Sequence, residues 1–401
     1  MNPLKKAYCR CFQLAFRLAI PLMPYRKPQI FSNFKECIEQ LKSLGINAVL
    51  FVTDSFLRSS GATAELEALL QDSGIACQVY DGTKPNPTVQ NVEESTALYR
   101  SHGCQALIAF GGGSSMDCAK ATGACVVYPK KTLAQMRGLL RVLRKLPPVV
   151  AIPTTAGTGS ETTVTAVITD PVEKHKYTMN NFTMIPRYAV LAPEVTYTLP
   201  PHLTSTTGMD ALAHAVEAYI GGSTTKETRQ MALDATRLIF GNIKAAYDDG
   251  NNHAAREAML QAAYKAGVAF TQSYVGYIHA VAHTLGGQYG IPHGLANSVL
   301  MPVVLEKYGS AVYKKLHQMA DAVGVCLDSD SDEVATKKFI QAIRDLNKYM
   351  NIPESFDAIR EEDIPHMVAY AEKEANPLYP VPVLMDKDEL EYFYRAIMTK
   401  S

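Results

Sequence analysis

The chain has 401 residues with 39 basic and 39 acidic side chains, so it carries no net charge at pH 7. That balance removes the electrostatic footprint of a nucleic-acid binder. Apolar residues at 47% and charged residues at 19% describe a globular chain rather than a disordered one, and the length points to two domains.

The N-terminus combines Lys5, Lys6 and Arg10 with the stretch CFQLAFRLAIPLM. Arg17 interrupts that stretch, and Pro21 and Pro24 end it, so it lacks the apolar core of a signal peptide and falls short of the ~20 residues that span a bilayer. The reading is an amphipathic helix that docks on the body or on another subunit, without stable membrane insertion. The eight cysteines show no CxxC pair and no regular spacing, which reads as packing thiols in a reducing, cytoplasmic setting.

Up to residue 200, β-rich runs alternate with helical stretches. The runs are 47–53, 76–80, 105–110, 148–152, 165–169 and 188–192, and the stretches between the early ones end at Gly45, Gly74 and Gly103. Alternation of this kind predicts a parallel sheet with helices on both faces, and the near-continuous apolar runs LIAF and VVAI fit strands buried on both sides. After Pro200-Pro201 the texture becomes helical, with patterns over 203–220, 226–248, 253–271, 274–286, 294–307, 309–323, 332–350 and 386–399. The expected organisation is an α/β domain over 1–200, whose residues 1–27 are an additional amphipathic segment, and an all-α domain over 201–401.

The strand QALIAF runs into Gly111-Gly112-Gly113-Ser114 and then into a helical stretch. A strand, a glycine turn and a helix N-terminus make an anion site, because backbone N–H groups and the helix dipole converge there. This is not the GxGxxG fingerprint, and no acidic residue follows about 20 positions on. Asp54, however, closes the FVTD strand, where a carboxylate can hold the ribose hydroxyls of NAD and repel the extra phosphate of NADP. A second loop, PTTAGTGSE at 153–161, leaves another buried strand with hydroxyls and open backbone N–H groups. Two such loops on one parallel sheet point to a dinucleotide at the strands' carboxyl ends.

In the helical half, Asp210 and His214 stand four residues apart, as do His279 and His283, and His293 lies at the start of the next helix. Residues at i and i+4 share a helix face, and the alanines around these pairs let two helices approach closely. One carboxylate and three imidazoles suit Zn²⁺ or Fe²⁺, and five candidates for four positions leave one histidine for acid–base work.

Together the motifs GGGSSMDCAK (111–120), PTTAGTGSE (153–161), GMDALAHAVEAY (208–219), HAVAHTLGG (279–287) and PHGLANSVLMP (292–302) resemble the iron-containing, group III alcohol dehydrogenase family. The KPNPT segment at 84–88 also fits, and the likeness runs from about residue 28 to the end. The resemblance implies a dehydroquinate synthase-like architecture. It also implies metal ligands at Asp210, His214, His279 and His293, with His283 beside the nicotinamide. It implies cofactor contacts at Asp54, Asn86, Gly112, Gly113, Ser114, Asp117, Thr154, Thr155, Thr158 and Lys176. The metal is expected to be Fe²⁺, with Zn²⁺ as the alternative, and the cofactor NAD rather than NADP.

The expected reaction is reversible oxidation of a primary alcohol to its aldehyde. The expected partners are that small substrate and further copies of the chain, in a homodimer or larger homo-oligomer. Glycerol dehydrogenase-like polyol oxidation, and a metal-dependent lyase or hydrolase on the same scaffold, remain open at this point.

Overall fold

The structure is a computed structural model that describes residues 1–170 and 175–399. It separates into two compact units: Pro24–Leu199, and Pro200–Ser401 together with Met1–Met23. The chain opens with helix α1 (Pro3–Ala19), followed by β1 (Gln29–Phe31), α2 (Phe34–Ser43), β2 (Ala48–Val52), α3 (Ser55–Ser59), α4 (Ala64–Asp72) and β3 (Ala76–Tyr80). Next come α5 (Val89–Ser101), β4 (Ala106–Gly111), α6 (Gly113–Val127), β5 (Gly138–Leu139), β6 (Val149–Pro153), β7 (Thr165–Asp170), β8 (His175–Asn180) and β9 (Tyr188–Val190). Helices complete the chain: α7 (Pro201–Ile220), α8 (Lys226–Asp248), α9 (His253–Ser273), α10 (Tyr277–Tyr289), α11 (His293–Tyr308), α12 (Tyr313–Ala322), α13 (Asp332–Tyr349), α14 (Ile364–Ala375) and α15 (Lys387–Ala396).

Six strands form one sheet in the order β1-β9-β6-β4-β2-β3, every neighbouring pair parallel. Every residue of β4 and β6 is buried, as expected of strands covered on both faces. The period of two sorts the side chains into two cores: Leu50, Val52, Leu107 and Ala109 on one face, and Val49, Phe51, Ala106, Ile108 and Phe110 on the other. Gly45, Gly74 and Gly103 close their helices with positive φ.

The run at 165–169 is a strand, as expected, but it lies outside the parallel sheet. β7 pairs antiparallel with β8 in a separate three-stranded sheet. Its burial alternates, with Ala166 and Ile168 buried between half-exposed neighbours, which is the pattern of a sheet covered on one face. β1, β5, β8 and α14 are elements that the sequence pattern did not reveal.

In the second unit α7 is buried along most of its length, from Gly208 to Ile220, and packs against α8, α9 and α11. The first helix is amphipathic as read, yet it belongs to this helical unit and not to the α/β domain in which residues 1–27 were counted. Polar anchoring explains the difference. The Arg10 guanidinium donates to the carbonyls of Val381 and Pro382, both at 2.8 Å, and the Gln13 amide donates to Tyr379 O at 2.6 Å. Phe16 adds an edge-on contact with Tyr274 at 4.9 Å between ring centroids. No helix among the described residues is long and apolar enough to cross a membrane.

Candidate metal centre and cofactor loops

The helical unit draws four predicted ligands to one point. One ligand atom from each of Asp210, His214, His279 and His293 lies within 4.8 Å of every other. α7 supplies Asp210 and His214, α10 supplies His279, and His293 is the first residue of α11. The close approach of α11 to α7 depends on Gly294, because a Cβ there would sit 2.3 Å from the Thr206 carbonyl oxygen. Asn297, one turn further along α11, donates to Asp210 Oδ1 at 2.7 Å and meets His293 Nε2 at 3.1 Å.

Burial gives the cluster a direction. Asp210, His214 and His279 are 2%, 5% and 2% exposed, whereas the side chains of His293 and His283 are 39% and 44% exposed. Three candidate ligands therefore lie deep, and the open side carries His293 and His283, whose rings stack at 5.1 Å. A closed base with one accessible side is the form of a catalytic rather than a structural metal site.

His279 shows that these residues fit a cation. Its Nδ1 donates to Glu217 Oε2 at 2.6 Å, which makes Nε2 the lone-pair nitrogen. Nε2 is buried with no hydrogen-bond partner and lies 3.8 Å from Asp210 Oδ1. Leaving such an acceptor unsatisfied costs about 1–3 kcal/mol, a penalty that an ion removes. Burial, reinforced by His214, His293 and His283, holds the His279 pKa well below the ordinary histidine value, so the ring is neutral and able to ligate.

Glu217, which sequence reasoning missed, braces this arrangement. Besides His279 it accepts the backbone N–H groups of Gly276 and Ile278, both at 2.8 Å, and so ties α7 to the start of α10. Burial raises its pKa to about 8, and the backbone N–H groups of Gly276, Ile278 and His279 oppose the rise. The signal was present in the sequence, since Glu217 stands three residues after His214 and seven after Asp210 on the same helix face. Glu374 was missed as well. Its Oε1 meets His283 Nδ1 at 2.6 Å and accepts the Tyr379 hydroxyl at 2.7 Å. Burial works to raise the Glu374 pKa, but His283 and Tyr379 outweigh it and hold the carboxyl below its usual range.

In the α/β unit, three adjacent strands β6, β4 and β2 bring their carboxyl-terminal loops side by side. Asp54 follows β2, Gly112 to Ser114 follow β4, and Thr154 to Thr158 follow β6. The chain reverses direction across the sheet between β2 and β4, which is where open α/β sheets place their ligands. Gly111, at φ 151°, makes the turn into α6; a Cβ there would lie 2.4 Å from Ser115 Oγ. Gly112 is the N-cap of α6, so the helix opens with backbone N–H groups and no side-chain cap.

Asn86, Thr155 and Thr158 lie against that opening, whereas Asp54 and Asp117 are engaged elsewhere. Asn86 donates its backbone N–H to Ser114 Oγ at 3.2 Å and accepts Lys176 Nζ at 3.0 Å. Thr154 N–H donates to Gly111 O at 3.1 Å, the Thr155 hydroxyl is buried without a partner, and Thr158 accepts Ser160 N–H at 3.3 Å. Asp54 caps α3 by accepting Leu57 N–H at 2.9 Å. Asp117 is turned inward, its two oxygens accepting the Ser160 hydroxyl at 3.0 Å and Val167 N–H at 3.1 Å. Burial raises the Asp117 pKa to about 6, although Lys120 opposes the rise.

Lys120, quoted in a motif but given no role by the sequence reading, is fully buried and donates to Ser160 O at 2.6 Å, Thr163 Oγ1 at 2.8 Å and Thr165 O at 3.0 Å. It thus fastens the threonine loop to the helix that carries the glycine turn.

Comparison with known proteins agrees with both halves. Residues 30–193 match the family model "Iron-containing alcohol dehydrogenase", and residues 204–398 match "Fe-containing alcohol dehydrogenase family, C-terminal". The chain is 37% identical over 342 residues to 1,3-propanediol dehydrogenase of Klebsiella pneumoniae, covering 84% of this chain and 88% of that one. It is 37% identical over 332 residues to the NAD-dependent methanol dehydrogenase of Bacillus methanolicus, covering 82% and 87%. A crystal structure of 1,3-propanediol oxidoreductase superposes with a TM-score of 0.89 at 36% identity, over 92% of this chain and 98% of that one.

The chain belongs to the iron-containing alcohol dehydrogenase family. It is a metal-dependent oxidoreductase that interconverts small alcohols and aldehydes with a nicotinamide cofactor, and the polyol, lyase and hydrolase alternatives are not favoured by these matches.

Proposed function

We propose that this enzyme reversibly oxidises a short primary alcohol or diol to its aldehyde, with NAD as cofactor and Fe²⁺ as metal. The observation that carries the reading is the buried, partnerless Nε2 of His279 within the cluster of Asp210, His214 and His293. Those four residues would hold the ion, and one carboxylate with three imidazoles suits Fe²⁺, with Zn²⁺ as the competing occupant. NAD is favoured over NADP by Asp54 at the end of β2, and one of the relatives above is named for NAD dependence. The names of the relatives, for propanediol and methanol, favour a small substrate.

When bound, the metal supplies the Lewis acidity that lowers the pKa of the substrate hydroxyl, and the nicotinamide accepts or returns the hydride. The protein's own residues do the rest. Glu217 keeps the His279 proton on Nδ1 and the ring fixed. Burial of Asp210, His214 and His279 keeps water from the base of the site, while the side carrying His293 and His283 admits substrate. His283, on that open side, takes the hydroxyl proton during oxidation and returns it during reduction. In the other unit the glycine turn offers N–H groups to the pyrophosphate, and Asn86, a polar contact near the cofactor, accepts Lys176, the lysine that would reach the ribose.

A homo-oligomer in the cytoplasm is the setting we infer; among the described residues all eight cysteines are free thiols, which suits a reducing compartment. The test is aldehyde-dependent NADH oxidation by metal-stripped protein, then by protein reloaded with Fe²⁺ or Zn²⁺. The expected result is no activity in the stripped form and recovery with Fe²⁺. Full activity without any divalent ion contradicts the reading.

A further inference from the structure

We propose that Glu374 is the positioning residue of His283, holding the imidazole through Nδ1 so that Nε2 is the nitrogen that takes the substrate's proton. The inference rests on the role given to His283 above. Its own foundation is geometric. Glu374 closes α14 and His283 lies on α10, and their side chains meet at 2.6 Å between Oε1 and Nδ1. The same oxygen accepts the Tyr379 hydroxyl at 2.7 Å, so the carboxylate is itself held in place. A carboxylate offers only acceptors, so this bond forms when the imidazole proton sits on Nδ1.

The need for such a brace follows from exposure. The His283 side chain is 44% exposed, and an imidazole that open would, without a brace, be free to adopt several rotamers and either neutral tautomer. The site uses the same carboxylate–imidazole device twice. Glu217 holds His279 where both side chains are at most 3% exposed, a setting that suits a permanent ligand. Glu374 holds His283 at the open side, a setting that suits a nitrogen exchanging protons with substrate and solvent. In that exchange the substrate O–H bond breaks, its electron pair stays on oxygen, and an N–H bond forms at Nε2. Glu374 gains and loses nothing, and its negative charge stabilises the imidazolium that results.

The test uses full-length, Zn²⁺-loaded protein labelled with ¹⁵N-histidine, with the His283 signal assigned by its loss in His283→Gln. In the wild type the signal should report the Nδ1–H tautomer; in Glu374→Ala it should shift toward the Nε2–H form. In steady-state assays Glu374→Ala should lower kcat by about 100-fold, the lower bound for losing an effective general base, with KM for NADH and bound metal unchanged. Glu374→Gln should lie between the two, because its amide oxygen still accepts Nδ1–H but carries no charge. Tyr379→Phe, a milder change to the same anchor, should lower kcat by a few-fold. An unchanged tautomer in Glu374→Ala, or an unchanged kcat, overturns the positioning role while leaving the role of His283 intact. An unchanged kcat in His283→Ala overturns the role of His283 itself.

Discussion

The two halves of this enzyme build their sites from different material. The proposed metal centre is made of side chains: Asp210, His214, His279 and His293 converge, and each position depends on the chemistry of one titratable group. The proposed cofactor loops are made mainly of backbone: α6 opens at Gly112 with N–H groups and no side-chain cap, and Thr154 and Asn86 tie the neighbouring loops to that turn. A side-chain site should fail sharply when one residue changes. A backbone site should weaken gradually, because no single group carries it.

That contrast orders the expected effects. Asp210→Ala should lower kcat by about 1000-fold or more, since it removes a ligand whose ion contributes several kcal/mol to the transition state. Steady-state assays alongside metal analysis check this, and retention of both metal and activity would break the contrast. Glu217→Gln should reduce metal affinity by about 10–100-fold, the usual cost of losing a carboxylate that orients a ligating histidine; competition against a chelator measures it. Lys120→Met should leave metal affinity unchanged and weaken NADH by about 10-fold, equivalent to roughly 1.4 kcal/mol, because the threonine loop loses its tie to α6. Fluorescence titration with NADH reads this directly. Asp54→Ala should have the smallest effect, about 1 kcal/mol of stability from the lost helix cap together with a narrowed preference for NAD over NADP. Thermal unfolding and paired titrations with the two cofactors separate those contributions.

Much of this organisation was legible in the sequence, and the reason is periodicity. Asp210 with His214, and His279 with His283, announce shared helix faces by spacing alone, and GGGS after a buried apolar run announces a strand–turn–helix. Other features depend on the fold in ways spacing does not encode. Glu374 reaches His283 from a helix 91 residues further on, within no motif. Lys120 ends the GGGSSMDCAK motif with no role legible from its spacing, yet it is fully buried because the threonine loop supplies hydroxyl and carbonyl partners. The strand at 165–169 looked like one more member of the parallel sheet, and only its pairing with β8, an unremarked run of polar residues, shows otherwise. The N-terminal helix carries its amphipathicity in the sequence but not its address, which is set by Arg10 and Gln13 reaching carbonyls at 379–382.

The measurement that bears most directly on the division of labour is metal stoichiometry. Wild type, Lys120→Met and His279→Ala are each loaded with Fe²⁺ under anaerobic conditions, dialysed to equilibrium and analysed for bound iron. Wild type and Lys120→Met should each retain one ion per chain, and His279→Ala should retain essentially none. One ion per chain in His279→Ala, or its loss from Lys120→Met, would contradict a metal site that belongs to the helical side chains alone.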